Sequence, residues 1–124
     1  MILVTLPEET PVNELIETAY ALEEDIGIKL GPVIVNALYP TTELPEDISG
    51  ALAVAGLDPA GEQAIGLGAA AQFRRQRQAL QQRETARLAE SLPLRQLRLG
   101  YCFASEIGPE HINELANALT LELQ

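Results

Sequence analysis

One lysine, one histidine, one cysteine and no tryptophan occur among 124 residues, and each shortage closes off a class of chemistry. The single cysteine, Cys102, can form no internal disulfide and supplies no cysteine-based metal cluster. A phosphate loop of the GxxxxGK type is missing, and so is a GxGxxG turn after a strand. Gly66 and Gly68 lie instead inside an Ala-rich helical run. Thr5, Thr10, Ser49, Ser91 and Ser105 have no neighbouring base to activate them, and His111, beside Glu110 in the first turn of a helix, reads as a surface residue. These gaps leave no recognisable catalytic set. No basic segment followed by an apolar stretch opens the chain, and no apolar run approaches the roughly 18 residues of a membrane span. A cytoplasmic protein is expected.

What is present is aliphatic and acidic. The chain is 47% apolar with only 4% aromatic residues, so its core is built from Leu, Ile, Val and Ala. Its length suits one domain, residues 1–124, with one core. The formal net charge is −10, unevenly spread. Residues 1–62 hold twelve acids and one base, whereas residues 74–98 hold seven Arg and two Glu. Overall acidity argues against a nucleic-acid partner, and the Arg-rich stretch, without interleaved aromatics, reads as the wet face of a helix.

Three short apolar runs organise the chain. Residues 2–6 are almost wholly apolar and β-branched, as in a strand covered on both faces. Thr10-Pro11 then marks a helix start, and Val12, Leu15, Ile16, Ala19, Leu22 and Ile26 recur at helical spacing up to a Gly27 C-cap. Residues 32–38 form a second apolar strand, too far from the first for a hairpin and well placed for a helical crossover. Residues 41–60, punctuated by Pro45, Gly50, Gly56 and Pro59, read as a flexible connection interrupted by a short helix at 48–55. A long helix is expected over 62–90, with a thin apolar face of Phe73, Leu80 and Leu88. A third strand follows at 94–99, then a loop, then a helix from Pro109 with Ile112, Leu115, Leu119 and Leu123 as its buried line. The fold class is α/β: a short parallel sheet between helices in three layers.

In open α/β sheets, function sits beyond the C-terminal ends of the strands. Three segments fall there: Pro7-Glu8-Glu9-Thr10-Pro11 after the first strand, Asn36 at the end of the second, and the Tyr101–Glu106 loop, with Cys102 and Phe103, after the third. A carboxamide at such a rim both donates to and accepts from the amino edge of adenine. From the residues alone, the simpler account is that Asn36 ends the strand and satisfies loop amides.

The segments VTLPEETPVNEL, GPVIVNALYP and YCFASEIGPEHINELANAL resemble, in order, the C-terminal portion of the anion-pump ATPases. That family comprises the arsenite-transporter ATPase and its relatives that deliver tail-anchored proteins, within the deviant-Walker-A group of P-loop ATPases. The resemblance implies part of a P-loop NTPase fold without its N-terminal half, which in the complete family carries the phosphate loop, the switch regions and the magnesium ligand. It implies a dimer with ATP and Mg across the subunit interface, and only indirect association with membranes. Carried over by position, Asn36 matches the strand-end asparagine that contacts adenine, and Tyr101, Cys102 and Phe103 match the segment along base and ribose. Pro7, Glu8 and Glu9 match a segment near the nucleotide and the partner subunit. Two departures stand out: a proline usual at the start of the last loop is replaced near Gly100, and the paired zinc-holding cysteines of the eukaryotic relatives are missing, so no zinc is expected. Alone, this portion is expected to hydrolyse nothing; its partner would be a second copy or an N-terminal ATPase half. The alternative is a small non-enzymatic α/β module that uses its sheet edge and Arg-bearing helix for protein contacts.

Overall fold

The computed structural model describes residues 1–124. Its elements run β1 (Leu3–Thr5), α1 (Glu9–Glu24), β2 (Val33–Leu38), α2 (Ile48–Val54), α3 (Glu62–Ser91), β3 (Gln96–Gly100) and α4 (Pro109–Leu123). The three strands form one sheet in the order β1-β2-β3, and both pairings are parallel. An α/β fold with a short open parallel sheet and flanking helices is therefore what the chain adopts. The chain divides into two compact units, one of residues 1–40 and 80–124, the other of residues 41–79, with α3 contributing residues to each.

The first unit holds the sheet and its core. On one face Val33 and Val35 of β2 pack with Val12, Leu15 and Ala19 of α1, with Leu88 of α3 and with Leu92 just after it. Leu97 and Leu99 of β3 are buried outside that cluster, on the alternate face, where α4 packs against β3. Helix α1 begins two residues before the expected Pro11. Its first intrahelical bond runs from the Val12 amide to the Glu8 carbonyl at 3.1 Å, so the N–H that Pro11 lacks falls among the first-turn donors that have no intrahelical partner. Beyond its end, Gly27 has φ +72°, which lets the Ile28 amide return to the Leu22 carbonyl at 2.9 Å.

Expectations about burial fail in β1 and in α4. Strand β1 is covered on one face only: Leu3 and Thr5 turn inward, while Val4 is 61% exposed and Ile2 and Leu6 are exposed beside it. As an edge strand, β1 lies beyond the reach of α4, which packs on β3 at the other side of the sheet. Within α4, Leu115 and Leu119 are half-buried, but Ile112 and Leu123 are exposed, because one narrow edge strand offers too little surface to cover a full helical stripe.

The second unit consists of α2 and the first part of α3 with their connections. Asp47 caps α2 by accepting from the Gly50 amide at 2.9 Å, and the Arg75 guanidinium donates to the Pro45 carbonyl. Only Ala64 is fully buried here, whereas Val54, Ile65, Leu67 and Phe73 are exposed. Phe73 thus has no place in a buried face of α3. No helix of the chain is long and apolar enough to cross a membrane.

Candidate functional site

The end of β2 is irregular in a way that shapes everything around it. Val35 pairs with Arg98 and Leu38 with Gly100, so β2 holds one residue more than β3 between those pairs, a bulge at Asn36-Ala37. Ala37 has φ +62°, the only positive φ outside glycine in the chain. A left-handed conformation costs an L-residue roughly 1–2 kcal/mol, so contacts around it must offset that cost. Gln81 of α3 supplies them. Its Nε2 donates to the Ala37 carbonyl at 3.1 Å, and its Oε1 accepts from the Tyr39 amide at 2.8 Å.

The loop after β3 docks on the same place. The Tyr101 amide donates to the Leu38 carbonyl at 2.8 Å, and the ring of Tyr101 meets that of Tyr39 at 5.1 Å between centroids. Phe103 completes the group, 5.2 Å from Tyr39 and 4.8 Å from Tyr101. Edge-to-face and tilted rings at these separations attract one another, and here they join both strand ends into one aromatic rim.

Asn36, Ala37, Gly100, Tyr101, Cys102, Ala104, Ile107 and Leu115 line a cleft of 340 Å³ beyond the C-terminal ends of β2 and β3. That volume is near the lower limit of the about 300–1,000 Å³ typical of small-molecule sites. An adjoining hollow of 370 Å³ is lined by Gly100, Tyr101, Cys102, Phe103, His111, Glu114, Leu115 and Ala118. Four of the sequence-derived candidates, Asn36, Tyr101, Cys102 and Phe103, therefore come together from segments more than sixty residues apart. Pro7, Glu8 and Glu9 are not part of either lining. Pro7 is fully buried, Glu8 is half-buried, and Glu9 is exposed at the start of α1.

No charged residue lines the 340 Å³ cleft, whose polar side chains come from Asn36, Tyr101 and Cys102. Lys29 precedes β2 and so belongs to the opposite end of that strand. Nowhere do three His, Cys, Asp or Glu side chains converge as metal ligands would. His111 is a helix cap: its Nδ1 accepts from the Gly108 amide at 2.9 Å.

Sequence reasoning missed the buried polar side of α3. Gln81, Glu84 and Thr85 are buried on the same face as Leu88 and Leu92. Glu84 accepts from Arg87 at 2.6 Å and from Arg83 at 3.3 Å, and Arg87 also reaches Asn13 Oδ1 at 2.6 Å and the Glu9 carbonyl at 3.3 Å. The Arg87 hydrogen bond, with help from Arg83, holds the Glu84 carboxyl below its ordinary range against the opposing pull of burial. The recurrence of positions 81, 84, 85, 88 and 92 at helical spacing was the available signal, hidden because three of the five are polar.

Comparison with protein-family models finds no match, and comparison with curated proteins finds none.

Proposed function

We propose that this chain is the C-terminal portion of an anion-transporting ATPase, contributing the adenine side of a nucleotide site and no catalytic group of its own. One observation carries the reading: Asn36 shares a cleft with Tyr101 and Cys102 beyond the C-terminal ends of two adjacent parallel strands. A carboxamide there matches the donor–acceptor edge of adenine, and the Tyr101 ring beside it offers an apolar surface for the base. The resemblance of the three strand-end segments points to the same ligand. ATP and Mg would be handled at the phosphate end by the other half of such an ATPase, and the nucleotide would lie between subunits.

Base recognition without phosphate contacts leaves an affinity of roughly 1 mM, about −4 kcal/mol. In an NMR titration, amide signals of Asn36, Ala37 and residues 101–103 are expected to move with ATP and ADP alike and less with GTP. In folded Asn36→Ala they are expected to stay still. Phosphate release from ATP by the purified chain should equal the buffer blank, since nothing clamps the transferring group. Equal shifts with ATP and GTP, or nucleotide-independent spectra, would overturn the adenine reading.

A second reading, a non-enzymatic interaction module, is favoured by the exposed Ile2, Val4 and Leu6 along the open β1 edge. It gains ground if Asn36→Ala lowers stability by about 1 kcal/mol or more while neither protein responds to nucleotide.

A further inference from the structure

The bulge in β2 decides which side chains reach the cleft. Val33 and Val35 face the core, so unbroken alternation would turn Ala37 inward and Leu38 outward. One extra residue reverses this: Leu38 packs against the core cluster, and Asn36 and Ala37 both line the cleft. The bulge in turn depends on a side chain remote in sequence. Gln81 is 4% exposed and takes up both the Ala37 carbonyl and the Tyr39 amide, much as the backbone of a neighbouring strand would. A carboxamide offers a donor and an acceptor at that separation whatever the pH. A carboxylate would set oxygen against the Ala37 carbonyl, and an apolar chain would leave both backbone groups unpaired.

We propose that Gln81 is the positioning residue of the base-reading site, holding the left-handed bulge that presents Asn36 to the cleft. The same pair of bonds holds the backbone of Tyr39, whose ring supports Tyr101 and Phe103, so Gln81 governs both the amide and the aromatic rim. This role rests on the reading of the cleft as an adenine site. Gln81 itself does not line the cleft.

The test uses the whole chain and two near-isosteric variants, Gln81→Glu and Gln81→Met. Two NMR observables are followed: the strong intraresidue HN–Hα NOE of Ala37 that marks positive φ, and the shifts produced by ATP against GTP. Wild type should show the NOE and a preference for ATP on the order of tenfold, as a two-point amide–adenine pair gives. Folded variants should lose the NOE and respond to ATP no more than to GTP. A purely structural role would lower thermal stability and leave the ATP-to-GTP ratio unchanged. If wild type discriminates and a folded variant discriminates equally, the Gln81 proposal fails alone. If wild type shows the NOE without discriminating, the adenine reading fails and the base-reading role of Gln81 falls with it. Should Gln81→Glu not fold, Gln81→Met is read by the same criteria.

Discussion

Ala37 carries the clearest local cost in the chain. Its methyl group sits on a backbone at φ +62°, where glycine would meet no such penalty. Ala37→Gly exchanges roughly 1–2 kcal/mol of relieved strain for the 0.5–1 kcal/mol by which glycine's greater freedom favours the unfolded chain. The variant is therefore expected to be more stable by up to about 1 kcal/mol, read as a higher urea midpoint at unchanged slope. A lower midpoint would mean that the bulge holds no strain at Ala37. Neither the positive φ nor the bulge was legible in GPVIVNALYP. That run carries no glycine between Gly31 and its end, and a register shift is set by the facing strand. What was legible was Asn36 as the one polar residue in an apolar strand, and the structure places it in a cleft.

At the scale of elements, α3 shows how a polar sequence can pack. Its inward side carries Gln81, Glu84 and Thr85, each satisfied: Thr85 donates to the Gln81 carbonyl at 2.9 Å, and Gln96 of β3 donates to the Thr85 carbonyl at 2.9 Å. Glu84 with Arg87 joins α3 to the start of α1 through Asn13 and the Glu9 carbonyl. Because the folded-state pKa of Glu84 lies below its ordinary 4.5, its contribution to stability is complete above that value. It is lost as pH falls through the lowered folded-state value. The stability difference between wild type and Glu84→Gln should thus be widest at neutral pH and shrink in acid. Urea midpoints taken between neutrality and acid check this, and a difference constant with pH would dissociate Glu84 from the titration. Arg87 is partly exposed and keeps its bonds to Asn13 and the Glu9 carbonyl, so a loss of about 1 kcal/mol at neutral pH is expected.

For the molecule as a whole, the open question of chemistry is what covers β1. Its outer edge has no strand partner, and Ile2, Val4 and Leu6 are exposed at the edge of the sheet that α4, packed on β3, does not reach. Unpaired edges of this kind pair readily with other chains. Self-association is expected in sedimentation at about 10 μM, and Val4→Lys should shift the protein to monomer, since a lysine on an edge strand opposes pairing. Wild type that stays monomeric, with unfolding unchanged on dilution, would count against self-association through this edge.

The order of strand and helix, the parallel sheet and the strand-end placement of Asn36 and Tyr101 were determined by the sequence alone. Apolar runs separated by helical crossovers admit few other arrangements. Helix starts at Pro109 and near Pro11, and the left-handed Gly27, are likewise local matters of backbone chemistry. Only the tertiary structure decided that β1 is bare on one face, that Ile112 and Leu123 lie outside the packed side of α4, and that Gln81 holds the bulge beneath Asn36. Gln81 and Ala37 are 44 residues apart, and nothing local to either announces the other. Their bond exists because the register of β2 against β3 leaves backbone groups turned toward α3, and a buried carboxamide can satisfy a donor and an acceptor at once.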